Sequence, residues 1–228
     1  MTANNQTMNQ ALLHAAGTLF AETGYGQVDV ETIAREADLD PAFIYSEYSD
    51  KAGLCHAWLI SLHQHSEARH AEILQSEADP VDKIRRYFEH LATWMKESGY
   101  AGCPFTRTIN SLSVGESPEI RSEVKQHKEF VTDFFIALAR EIAWNVGEAE
   151  SLGRQLFLLY SAATTEAKNL DAPWPIERAQ EIALELCQAA REGKRLNNWV
   201  PDRHSSESDG RLRQERKNPQ ANPVKIVE

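Results

Sequence analysis

Apolar side chains recur at three- and four-residue spacing along most of the chain, and alternating apolar and polar runs are scarce, which predicts an all-α protein. Leu12, Ala15, Ala16, Leu19 and Phe20 form the stripe of a first helix that stops before Gly24, with Thr7 and Gln10 in capping-box spacing at its start. Asp29 is placed to cap a short second helix carrying Val30, Ile33, Ala34 and Ala37. Asp40-Pro41 opens a third helix that runs through Ile44 to Tyr48, after a tight turn at Asp38-Leu39.

Longer elements follow. Asp50 caps a helix from Lys51 to about Gln75, and Asp79-Pro80 starts one that carries Ile84, Tyr87, Phe88, Leu91 and Trp94 to Gly99. The Gly99, Gly102, Pro104 cluster breaks the pattern before a helix over Phe105 to Leu112. Ser117-Pro118 begins a helix through Phe130, Phe134, Leu138 and Ile142, and another spans about Glu148 to Asn169. Asp171 to Pro175 reads as a rigid connector into a last amphipathic helix, Ile176 to Arg191. About nine helices result, and the polar, Ser-, Asn- and Pro-rich stretch from Pro201 to Glu228 reads as a disordered tail. Two short helices joined by a tight turn, after a first helix ending in Gly24-Tyr25, form a helix-turn-helix pattern. The expected organisation is therefore a helix-turn-helix domain over residues 1–54, a helical domain over 55–199 and a tail over 200–228.

Charge changes what that motif leads one to expect. The 228 residues carry a formal net charge of −10, which gives no general attraction to nucleic acid or an anionic membrane. Residues 1–54 hold −6 of it, with Arg35 and Lys51 the two basic side chains, residues 55–190 hold −7, and the stretch from Arg191 holds +3. Arg211, Arg213, Arg216 and Lys217 are placed either to act as a flexible basic arm or simply to keep the tail solvated. No apolar run is long enough for a spanning helix and no secretory leader follows Met1, so a cytoplasmic, soluble protein without a membrane partner is expected. Cys55, Cys103 and Cys187 show neither a disulfide framework nor a CxxC metal spacing.

The ordered residues Ala11 to Tyr25, with Leu19-Phe20-Ala21 and Gly24-Tyr25, then Ile33-Ala34, Ile44-Tyr45 and Lys51, resemble the N-terminal domain of the TetR family of transcriptional regulators. The resemblance covers about 45 residues and implies a helical C-terminal domain that binds an effector and dimerises through its last two helices. It also implies phosphate contacts from Tyr45 and Lys51, and it places Pro41, Phe43 and Glu47 where the family carries polar or basic contacts. Pro41, Ala42 and Phe43 offer apolar contacts to thymine methyls, Glu47 can accept from cytosine N4, and Ser46 and Tyr48 complete the expected face on double-stranded DNA. Gly102-Cys103-Pro104-Phe105 resembles the start of the family's sixth helix, beside its effector pocket.

Trp94, Cys103, Phe105, Phe130, Phe134 and Tyr160 are the expected pocket residues, within a group that also includes Phe88, Leu91, Met95 and Ile109. Arg107, Asn110, His127 and Glu166 are candidate polar anchors. Each of the apolar and aromatic side chains in that group also suits plain core. Tyr45 also suits a packing position, Lys51 a solvated first-turn position, and Phe43 a protein-binding patch. Cys103 at a helix start is either a small packed residue or a thiol of lowered pKa able to sense electrophiles or oxidants, and Cys187 reads as core. His56, His63 and His70 recur every seven residues, about 10 Å apart along a helix, which is too far for one ion, so with His65 they are read as solvated. No carboxylate pair, matched nucleophile and base, or phosphate loop supports an enzyme, and no cofactor is implied. The resemblance thus implies a ligand-responsive repressor that binds a palindromic operator as a homodimer. The alternative, favoured by the −6 of the first domain, is a regulatory protein of the same fold that acts through a protein partner or as a ligand-binding module.

Overall fold

The computed structural model describes residues 3–193, and among them there are helices and turns but no strands. The elements are α1 (Ala3–Glu22), a single 3-10 turn (Tyr25–Gln27), α2 (Val30–Glu36), α3 (Pro41–Tyr48) and α4 (Lys51–Gln75), followed by α5 (Pro80–Glu97), α6 (Pro104–Ser111), α7 (Pro118–Arg140), α8 (Val146–Leu170) and α9 (Trp174–Arg191). Helix starts follow side-chain chemistry. Asp29, Asp40, Asp50, Asp79 and Asn145 each accept a hydrogen bond from a first-turn N–H, and Pro41, Pro80, Pro104 and Pro118 occupy first-turn positions where no amide hydrogen is needed.

Three boundaries differ from the pattern-based expectation. α1 begins at Ala3, so Thr7 lies inside the helix and is not its cap. α7 ends at Arg140, and Ile142 reaches the core from the turn that follows. The Trp174-Pro175 pair is not a connector but the first turn of α9, where a proline costs no helical hydrogen bond. The tail from residue 200, with Arg211, Arg213, Arg216 and Lys217, lies outside the described residues.

Two apolar clusters hold the fold. Leu12, Phe20, Tyr25, Ile33, Ile44 and Leu54 build the first, which also takes in Trp58 and Leu59 of α4, Cys103 and Phe105 at the start of α6, and Ile120 and Val124 of α7. The second joins α5, α7, α8 and α9 through residues such as Phe88, Met95, Phe135, Leu138, Leu152, Leu156 and Ala183, and Cys187 is buried within it. Ile73 and Leu74 of α4 pack against that second cluster. One unbroken helix therefore runs from the helix-turn-helix core to the larger core. At the α7–α8 crossing the helices meet so closely that a β-carbon at Gly153 would stand 2.5 Å from Ile136 Cα.

Candidate functional site

The turn between α2 and α3 is closed by Leu39 N–H donating to the Ala34 carbonyl at 2.9 Å, with Asp38 in the left-handed region at φ 54°. Asp tolerates this conformation better than most side chains. Ile44 anchors α3 in the core, and Ala42, Tyr45, Ser46 and Glu47 are exposed. Pro41, Phe43 and Tyr48 are half-buried, and Phe43 and Tyr48 pack against the N-terminal cluster. Tyr45, 49% exposed, is therefore a surface residue and not a packing one, and Phe43 is not a free phenyl. Ser46 Oγ donates back to the Phe43 carbonyl at 2.9 Å.

Lys51 is not a solvated first-turn side chain. Its ammonium donates to the carbonyls of Tyr25 and Val28, both at 2.9 Å, and lies 4.4 Å from the centre of the Tyr25 ring. An ammonium has three N–H donors, so one is left to face outward. Lys51 and Tyr45 line a common open groove with Gly26, Gln27, Asp29 and Glu31. The starts of α2, α3 and α4 already carry carboxylates: Asp29 accepts from Thr32 N–H, Asp40 from Ala42 N–H and Asp50 from Gly53 N–H, each at 2.8 Å. Amides that could have held phosphates are thus partly occupied by fixed negative charge.

In the larger part of the molecule a cavity of about 210 Å³ lies among α4, α5, α6, α7 and α8. Trp94, Cys103, Phe105, His127 and Tyr160 line it, together with His70 and Tyr87. Phe130 and Phe134 stand behind His70, with ring centroids 5.3 and 4.2 Å from its own. Arg107 and Asn110 do not line this cavity but an adjoining recess, which they share with Cys103, Thr164, Thr165 and Lys168. The Arg107 guanidinium donates to the Ala21 carbonyl and ties α6 to the end of α1. Glu166 is exposed, while Phe88 and Met95 belong to the second core and Ile109 packs on the first.

The histidines of α4 were expected in solvent, yet His63 and His70 are both buried. Seven-residue spacing puts them on one helix face, and that face packs against α7. His63 Nδ1 sits 2.8 Å from Glu123 Oε1, and its ring meets His127 edge to face. His70 Nδ1 lies 2.6 Å from the Ser66 carbonyl, which can only accept, so this nitrogen carries the proton and Nε2 is a bare acceptor. That Nε2 and the Nδ1 of His127 are buried without hydrogen-bond partners. Burial pushes the His127 pKa down to about 3, helped by the charge of Lys128, and burial also lowers that of His70, so both rings are neutral at pH 7.

Cys103 lies at the start of α6, with Lys128 Nζ donating to its sulfur at 3.6 Å. Burial opposes ionisation of this thiol, but Lys128 and the backbone and hydroxyl donors of Thr106 and the N–H of Phe105 outweigh it, holding the pKa below the ordinary thiol value. Burial instead raises the Cys55 and Cys187 thiols to about 12, and keeps Tyr160 a neutral phenol. The pattern of the sequence did not single out His70 as a cavity residue or Lys128 as the partner of Cys103, although the seven-residue spacing of His63 and His70 already placed those two on one face. No group of three metal-ligating side chains gathers among the described residues, and none of their helices is long and apolar enough to cross a membrane.

Comparison with known proteins gives a consistent frame. Residues 12–58 match the sequence profile of the bacterial regulatory proteins of the tetR family. No curated protein matches the chain by sequence. Among solved structures, a TetR regulatory protein from Rhodobacter sphaeroides is 19% identical, covering 78% of this chain and 97% of its own, with a TM-score of 0.69. A TetR-family transcriptional regulator from Agrobacterium tumefaciens is 19% identical over 79% of this chain and 97% of its own, at a TM-score of 0.70. SCO4454, a TetR-family regulator from Streptomyces coelicolor, is 22% identical over 82% and 95%, at 0.69. At such identities the structures speak for the fold, and the profile match speaks for the N-terminal helices. The chain thus carries a tetR-family helix-turn-helix over residues 12–58, and its described residues share the helical fold of those regulators.

Proposed function

We propose that the protein is a cytoplasmic, ligand-responsive transcriptional repressor that binds a palindromic operator as a homodimer and catalyses no reaction. The observation that carries this reading is the continuity of α4, which holds Lys51 and Leu54 in the helix-turn-helix and His70 on the cavity wall. A ligand that prefers one position of α4 shifts the separation of two recognition helices, and with it their register in successive major grooves. Ala42 and Glu47 on the exposed face of α3 read thymine methyl and cytosine N4 groups, flanked by Pro41, Phe43, Ser46 and Tyr48, while Tyr45 and the remaining donor of Lys51 meet phosphates. Trp94, Cys103, Phe105, His127 and Tyr160 receive the effector, with Phe130 and Phe134 as its second layer. Large apolar side chains exposed on α8 and α9, Leu158, Leu170 and Trp174, support pairing through those helices.

A second reading, in which the domain acts through a protein partner, is favoured by the three capping carboxylates and the −6 charge of residues 1–54. Selection from random duplexes at low salt, by the full chain and by residues 1–199, separates the two. Enrichment of an inverted repeat supports the repressor. No enrichment by either form contradicts direct operator binding.

A further inference from the structure

We infer that Cys103 is a covalent attachment site for a small, flat carbon electrophile of the α,β-unsaturated carbonyl class, taken up in the cavity among α4 to α8, and that the adduct is the ligand state to which the regulator responds. The second half rests on the repressor reading, and the first half stands without it.

Four features converge on this sulfur. It lies on the wall of a cavity with room for about seven waters at ~30 Å³ each, or an organic molecule of similar bulk. An ammonium, Lys128 Nζ, stands 3.6 Å from it. The walls are aromatic, with Trp94, Phe105, Tyr87 and Tyr160 suited to a planar molecule. His127 and His70, both more than nine-tenths buried, each leave one ring nitrogen unpartnered in that wall. Buried polar atoms are rarely left so without a ligand or water to meet them. His127 stacks flat on Phe105 at 3.6 Å, and its neutral ring has one N–H to offer a carbonyl oxygen.

The chemistry balances without a further reagent. The thiolate sulfur forms a bond to the β-carbon, the C=C π pair moves to give an enolate, and the α-carbon takes one proton from the Lys128 ammonium, which recovers it from the water that accepted the thiol proton. The net change is addition of S–H across C=C, and nothing leaves. The thiolate is the reactive form, and Lys128 stabilises it in a site where burial alone would suppress it. Cys55 and Cys187 are fully buried and off the cavity wall, and each sits where burial keeps the thiol protonated.

The test treats the full-length native protein with methyl vinyl ketone at neutral pH and follows the mass of the intact chain and its cysteine peptides. One adduct per chain is expected, at Cys103, formed roughly a hundredfold faster than at Cys55 or Cys187. C103S takes up none while folded. Lys128→Met lowers the rate at least about tenfold, and Lys128→Arg stays within about threefold of the native rate. Protection of Cys55 and Cys187 in the same spectra reports that each variant is folded; if Lys128→Met loses it, the Lys128→Arg rate decides. Comparable labelling of all three thiols, labelling only after denaturation, or an unchanged rate in folded Lys128→Met overturns the site. Faster loss of the thiol to hydrogen peroxide than to the enone overturns the carbon-electrophile class. Adduct formed with undiminished affinity for a selected duplex overturns the regulatory half alone. A selected duplex with no adduct overturns the inference and leaves the repressor reading in place.

Discussion

The Lys51 ammonium donates to the Tyr25 carbonyl at 2.9 Å and rests over the face of the same residue's ring. Through this contact the start of α4 is fastened to the 3-10 turn that follows α1, and the fourth helix cannot move without carrying the helix-turn-helix core with it. Lys51→Met removes two charge-assisted hydrogen bonds and leaves the Tyr25 and Val28 carbonyls unpaired, so urea unfolding is expected to show a loss of about 2–4 kcal/mol. Under the phosphate reading, the same change also makes the salt slope of duplex binding shallower by about one per chain.

Charge on the recognition helix sets the second expectation. Glu47 is exposed in the last turn of α3, a helix whose start already carries the Asp40 carboxylate. Glu47→Lys exchanges a repelled group for a phosphate partner. Nonspecific duplex affinity rises, and the plot of log K against log salt steepens by about 0.9 for each added phosphate contact. Under the proposed readout of cytosine by Glu47, the same variant also loses sequence discrimination at that position.

Stability should fall in acid because of His127. Its pKa is about 3 in the folded protein, against about 6.5 in an unfolded chain. Below pH 6.5 the unfolded state takes up a proton that the folded state refuses, so the contribution is complete above pH 6.5 and is lost as the pH falls toward 3. At pH 5 this amounts to about 2 kcal/mol, an order-of-magnitude figure. The stability of the native protein relative to His127→Phe, read from urea unfolding, should fall by about 2 kcal/mol as the pH drops from 7 to 5, because the phenyl ring has no proton to gain.

Gly153 tests the α7–α8 crossing. Alanine in mid-helix normally stabilises by up to about 1 kcal/mol over glycine. Here the new β-carbon would stand 2.5 Å from Ile136 Cα and 2.6 Å from its nitrogen, and backbone cannot step aside as a side chain can. Gly153→Ala is therefore expected to lower stability by about 1–3 kcal/mol, readable as a lower melting temperature.

Much of this was legible in the chain itself. Asp29, Asp40, Asp50 and Asp79 announce helix starts because a carboxylate before an apolar stripe has one strong local use, and all four cap as the pattern implies. The ends of α1 and α9 were less legible, since Thr7 offers a capping signal that the helix overruns and Trp174-Pro175 looks like a stop where proline is tolerated. The cavity was visible as a set of aromatic residues but not as a shape. Nothing local distinguishes Phe88, which fills the core, from Phe105, which faces the cavity. Lys128 escaped notice because its use depends on Cys103, 25 positions earlier in sequence. Lys51 was marked as a phosphate contact, but its anchoring role was not legible because its partners lie 26 and 23 residues away.

The central claim is that two copies of this acidic domain read one duplex. Light scattering of the full-length protein on the inverted repeat recovered by duplex selection measures that directly. Two chains per duplex, with each half-site needed for the complex, is the predicted result. A single chain per duplex, or no complex on any recovered sequence at low salt, would contradict it.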